Sequence, residues 1–75
     1  MRFAAIGLDH RHIYDLTAGL IEAGLTCAGY WPQTTDPRVL KGFRERFSDV
    51  PAVEDRGTLM RDPSIQIVAC AAVPI

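Results

Sequence analysis

Seventy-five residues, eight Lys plus Arg against nine Asp plus Glu, a formal net charge of −1 and 48% apolar residues describe one small domain or a part of a larger one, and exclude two domains. The basic residues are scattered singly, which removes the charge stripe of a nucleic-acid or anionic-membrane binder, and the apolar fraction is too high for intrinsic disorder. The longest apolar run, Ile67 to Val73, is far short of the roughly 20 residues of a membrane-spanning helix; Asp9, His10 and Arg11 break the N-terminal apolar run before a signal core forms, so the expected location is the cytoplasm.

Arg2-Phe3-Ala4-Ala5-Ile6-Gly7 reads as a strand closed by glycine. Ile13, Leu16, Leu20 and Ile21 then recur at helical spacing, and Gly24 stands where a C-terminal cap belongs, which predicts a helix over His12 to Ala23. Thr26 to Trp31 is a second strand stopped by Pro32. Asp36-Pro37 is an N-cap followed by proline at the first helical position; Val39, Leu40, Phe43 and Phe47 give the helix after it an apolar face, and Lys41 with Glu45 forms an i,i+4 pair on its wet side.

Val50-Pro51-Ala52-Val53 reads as an edge strand, because proline suits an edge better than a sheet centre. A short helix over Asp55 to Arg61 turns Leu59 and Met60 inward, and Ile65 to Ala72 forms the last strand. The expected fold is therefore α/β, βαβαβαβ, a partial doubly wound (Rossmann-like) parallel sheet of strand order 3-2-1-4. In that order Cys27 and Cys70 lie on strands separated by the first, about 9–10 Å apart and beyond disulfide reach; both read as reduced, buried side chains. The last strand is left as an apolar, unpaired edge, since a full dinucleotide fold continues with two more strands. The chain reads as a single truncated domain over 1–75.

The stretch that carries chemistry is Gly7-Leu8-Asp9-His10-Arg11-His12-Ile13, between the carboxyl end of the first strand and the first helix, where open α/β sheets bind ligands. Free N–H groups and the dipole at a helix start suit a phosphate. Of the G-x-G-x-x-G pattern only the first glycine, Gly7, is present; Asp9 and His12 stand in the later places. An ionised Asp9 about 4 Å from a phosphate would meet repulsion near 4 kcal/mol at an effective dielectric of 20, more than the roughly 2 kcal/mol a helix terminus returns. Asp9 must turn away, or His10, Arg11 and His12 must offset it.

The segment A-A-I-G-L-D-H-R-H-I-Y, with A-G-Y-W after one helix and D-P-S-I-Q-I-V-A-C-A-A-V-P at the end, resembles the N-terminal part of Gfo/Idh/MocA-type oxidoreductases, in particular a branch with a G-L-x-H-x-H run in the loop. The resemblance covers essentially the whole chain. It implies NAD or NADP bound on a Rossmann domain, and hydride transfer to or from a sugar, inositol or related polyol. It further implies that Gly7, Leu8, Asp9, His10, Arg11, His12 and Ile13 hold the pyrophosphate, that Trp31, Gln33 and Thr34 border the adenosine ribose, and that Ala72, Val73 and Pro74 flank the nicotinamide. The family's catalytic lysine motif and substrate domain have no counterpart in these residues, so no catalytic residue is assigned and the chain alone is not expected to catalyse.

The acid expected about 20 residues beyond the loop is also missing, and Trp31-Pro32-Gln33 stands there. Thr34, Thr35 and Arg38 could receive a 2′-phosphate instead, which tips the expectation to NADP. Other readings stay open. His10 and His12 suit zinc, although no third ligand is placed to join them; the same pair lines a phosphate loop or simply begins a solvated helix. Asp9 is a helix N-cap or a ligand-site residue. Trp31 lines the core or an adenine pocket. Tyr14 and Asp15 read as surface residues, and Arg38, Arg44 and Arg46 as a solvated face. The alternatives to a nucleotide-binding fragment are a metal-binding protein and a non-catalytic α/β module whose last strand pairs with a second copy, a partner or a missing C-terminal domain.

Overall fold

The computed structural model describes residues 1–71. Its elements are β1 (Arg2–Gly7), α1 (His12–Glu22), β2 (Thr26–Tyr30), α2 (Pro37–Arg46), α3 (Arg56–Arg61) and β3 (Ile65–Cys70). β1 pairs in parallel with β2 on one side and β3 on the other, giving a three-stranded sheet of order β2-β1-β3. Its central place explains its composition. Phe3, Ala4 and Ala5 are all fully buried, as a parallel strand covered on both faces requires, and the two alanines keep that strand slim.

The expected fourth strand is a correction. Val50–Val53 makes one parallel bridge, Tyr30 to Ala52, through Tyr30 N–H to the Pro51 carbonyl at 3.0 Å and Val53 N–H to the Tyr30 carbonyl at 2.8 Å. Pro51 has no N–H to extend the ladder, so the observed strand order is 2-1-3 in place of 3-2-1-4, with this segment lying beside β2 as a single bridge. The side-chain alternation of β2 puts helices on both faces of the sheet. A Cβ on Gly29 would meet Val53 and Leu59 at 3.0 and 3.3 Å, whereas the next residue, Tyr30, turns its ring the other way, onto Phe43 of α2 at 4.9 Å.

One core joins Phe3, Ala5, Leu8, Ile13, Tyr30, Val39, Phe43 and Ala69. The caps expected from sequence are present. The Asp36 side chain accepts from Arg38 N–H with Pro37 at the first turn of α2; Asp55, expected as the first residue of α3, instead caps it by accepting Gly57 N–H. α1 ends in a Schellman pair, Leu25 N–H to the Leu20 carbonyl and Gly24 N–H to the Ile21 carbonyl, both at 3.0 Å, with Gly24 at φ 99°. Lys41 and Glu45 approach to 4.0 Å.

Several side chains sit elsewhere than expected. α1 buries Ile13 and Thr17, while Leu16 and Ile21 are 44% and 42% exposed; three strands are too narrow to cover the margins of its apolar face. Met60 is 62% exposed, because a helix of six residues turns only one apolar side chain, Leu59, inward. Tyr14 is no free surface residue: its hydroxyl donates to the Val39 carbonyl at 2.9 Å, and the Arg46 guanidinium lies over its ring at 4.2 Å. Arg44 is exposed as expected, and its Nε donates to the Tyr30 hydroxyl at 2.9 Å. Both cysteines are free, Cys27 half-buried and Cys70 exposed on the edge strand; burial pushes the Cys27 thiol up. Among the described residues no helix is long and apolar enough to cross a membrane.

Candidate functional site

The three strands end at Gly7, Tyr30 and Cys70, and the loops leaving β1 and β2 meet at Asp9. A cleft of about 380 Å³ there is lined by Ile6, Gly7, Asp9, Trp31, Gln33, Thr34, Thr35, Arg56 and Cys70. A second, of about 400 Å³, opens between the β1–α1 loop and the start of α2, with Asp9, His10, Arg11, Tyr14, Asp36, Arg38 and Val39 on its walls. Asp9 borders both. Clefts of this size, outside the carboxyl ends of parallel strands, are where open α/β sheets take ligands.

Two hydrogen bonds fasten the loops to each other. The Thr34 hydroxyl donates to the Leu8 carbonyl, and Asp9 Oδ1 accepts the Thr35 N–H at 2.7 Å. The N-cap position of α1 falls on Arg11, two residues after Asp9. The helix begins after Arg11 with no side-chain cap bond from that residue, and His10 supplies the first acceptors instead. Its Nδ1 accepts His12 N–H at 3.1 Å and its carbonyl accepts Ile13 N–H at 3.1 Å. Since Nδ1 accepts, a neutral His10 carries its proton on Nε2. The two imidazoles stack with centroids 4.3 Å apart. Among the described residues no group of three His, Cys, Asp or Glu side chains is placed to hold a metal ion.

Trp31 stands just past β2, its N–H still bonded to the Ala5 carbonyl at 2.9 Å. Its indole donates to the Glu54 carbonyl at 3.1 Å, and the Arg56 guanidinium lies 5.2 Å from the ring centroid. Arg38 forms a two-pronged pair with Asp36, Nε to Oδ1 and Nη2 to Oδ2, both at 3.1 Å. The Arg38 side chain and its backbone N–H together hold the Asp36 carboxyl below its ordinary 3.8. The donors expected to receive a 2′-phosphate are thus already engaged, Thr34 by Leu8, Thr35 by Asp9 and Arg38 by Asp36.

The structure brings Gly7, Asp9, Trp31, Gln33 and Thr34 onto one cleft and His10 and Arg11 onto its neighbour. Leu8 and Ile13 are fully buried core residues that hold the loop from below, and His12 is exposed. Ala72, Val73 and Pro74 lie outside the described residues. Sequence reading missed Arg56 and Cys70 as cleft residues; the signal available was topological, since Cys70 ends β3 and Arg56 follows the Val50–Val53 segment that bridges to β2.

No family model matches the chain, and no curated protein does. A solved structure does. It is the crystal structure of a "putative oxidoreductase" from Erwinia carotovora atroseptica SCRI1043, 42% identical with a TM-score of 0.85. The likeness covers 99% of this chain and 22% of that one, so the chain spans about a fifth of the length of the protein it matches.

Proposed function

We propose that the chain is the nucleotide-binding part of an NAD(P)-dependent oxidoreductase of Gfo/Idh/MocA type, a Rossmann-type unit over 1–75 whose complete enzyme acts on a sugar or polyol. The observation that carries this reading is the cleft at the carboxyl ends of a parallel sheet, bordered by the β1–α1 loop and by Trp31, in a chain 42% identical to a segment of a "putative oxidoreductase". The residues fit such a guest. Trp31 offers an aromatic wall for the adenosine, with Gln33 and Thr34 beside it. The backbone from Gly7 to Ile13 would hold the pyrophosphate, and the His12 N–H that His10 Nδ1 now accepts is a donor this chain could offer to a phosphate oxygen. When bound, the nicotinamide supplies the hydride acceptor or donor; this chain binds and orients it, and the groups acting on the substrate belong to a further domain.

Trp31 is the sole tryptophan, so its fluorescence reports on this site directly. Titration with NAD⁺ and NADP⁺ should quench it saturably, and Trp31→Phe with Gly7→Val should separate signal from binding: the first removes the reporter, the second the binding. Inert fluorescence, together with no heat on mixing, contradicts the reading.

A second reading rests on β3. It is an outer strand of the described sheet, with Ile67 and Val68 36% and 44% exposed and bordering an apolar groove with Leu16 and Leu20 of α1. As an interaction module the chain would pair there with a partner, a second copy or further sheet strands.

A further inference from the structure

Trp31 stands where a dinucleotide-binding fold commonly places the acid that holds the adenosine ribose, and its polar atom is turned to the Glu54 carbonyl. A carboxylate nevertheless reaches that neighbourhood by another route. Asp9, from the opposite loop, reaches the segment that follows β2 with Oδ1 2.7 Å from Thr35 N, shares a cleft with Trp31 and also borders the neighbouring cleft. A carboxylate in that position accepts from ribose hydroxyls and repels a 2′-phosphate, which carries two negative charges where NAD has a hydroxyl. The groups that would counter this repulsion have acceptors of their own, the Thr34 hydroxyl on Leu8, the Thr35 N–H on Asp9 and the Arg38 fork on Asp36.

We infer that Asp9 replaces the missing strand-end acid and makes the site selective for NAD over NADP. The inference rests on the dinucleotide reading above, and reverses the preference expected from Thr34, Thr35 and Arg38 in sequence. It also assigns Asp9 a place in the site: its Oδ1 is tied to Thr35 N–H in the cleft that Trp31 borders, where its charge discriminates.

Isothermal titration of the chain with NAD⁺ and NADP⁺ reads the preference without any variant, and the expected result is NAD⁺ binding at least about tenfold more tightly. Asp9→Asn keeps an oxygen for Thr35 N–H and removes the charge, so the loops stay joined while the two affinities converge to within about threefold; Asp9→Ser serves as an independent charge-removing variant. Equal or better NADP⁺ binding by the unaltered chain overturns the inference, as does an unchanged ratio in folded Asp9→Asn, and both leave the nucleotide reading standing. Binding of neither dinucleotide removes both.

Discussion

Two residues of α1 and the glycine just beyond its end make opposite predictions. Gly19 has nothing within 4 Å of a built Cβ, so Gly19→Ala removes only the entropy cost of a helical glycine and should raise stability by about 0.5–1 kcal/mol. Gly24 has equal room but sits at φ 99°, and Gly24→Ala should lower stability by about 1–2 kcal/mol, the cost of placing a side chain in the left-handed region. Thr17 is fully buried, and its Oγ1 has no hydrogen-bond partner among the described residues. Thr17→Val keeps the shape and deletes the unsatisfied hydroxyl, so it should stabilise by about 1 kcal/mol. Urea unfolding monitored by circular dichroism checks all three, and the signs matter more than the sizes.

At the scale of elements, the start of α2 and the end of α3 carry a pH signature. Asp36 is held below its ordinary 3.8 by Arg38 and the first-turn N–H. Asp62, between α3 and β3, is held low first by Ser64, whose hydroxyl donates at 2.7 Å and N–H at 2.9 Å, with a smaller contribution from Arg2. A carboxyl whose folded pKa lies below its unfolded one contributes its stability in full above the unfolded value and loses it as pH falls through the folded value. Stability should therefore be insensitive to these two groups from neutral pH down to about pH 5 and fall below about pH 4. Asp36→Asn, which retains a capping oxygen, together with Asp62→Asn, should flatten that acid limb in denaturation measured at several pH values; an unaltered limb contradicts the assignment.

The same elements show what a sequence discloses. Strands β1 and β2, the caps at Gly24 and Asp36 and the core role of Phe43 were legible, because each depends on local spacing or local backbone chemistry. The rest depended on long-range geometry. The Val50–Val53 segment has strand composition, but Pro51 leaves it a single bridge. Leu16 shares a helical period with Ile13 yet lies at the margin of the face, where only a wider sheet could cover it. In the site, the loop from Gly7 to Ile13 was identifiable from its place after β1, whereas the turn of Asp9 toward Thr35 joins residues 26 apart, which no local pattern reveals.

For the whole molecule, the decisive feature is an asymmetry between the two sides of β1. Toward β2, the sheet is closed by the Ala52 bridge and by α2, whose Phe43 and Val39 enter the core. Toward β3, backbone groups and the apolar groove beside Leu16 face outward. A flat apolar edge of this kind promotes association, so sedimentation of the chain should show mass rising with concentration, and Val68→Lys on that edge should suppress the rise while leaving dinucleotide binding intact. Persistence of the rise in that variant would place the contact elsewhere.

The central claim is that the loops gathered around Asp9 form a dinucleotide site, and amide ¹H–¹⁵N spectra of the chain with and without NAD⁺ test it most directly. The account predicts dispersed peaks whose shifts on adding NAD⁺ concentrate in Gly7–Ile13 and Trp31–Thr35, with the Thr35 and His12 amides among the most displaced because both now bond to side chains that border the site. A dispersed spectrum that NAD⁺ and NADP⁺ leave unchanged would contradict it.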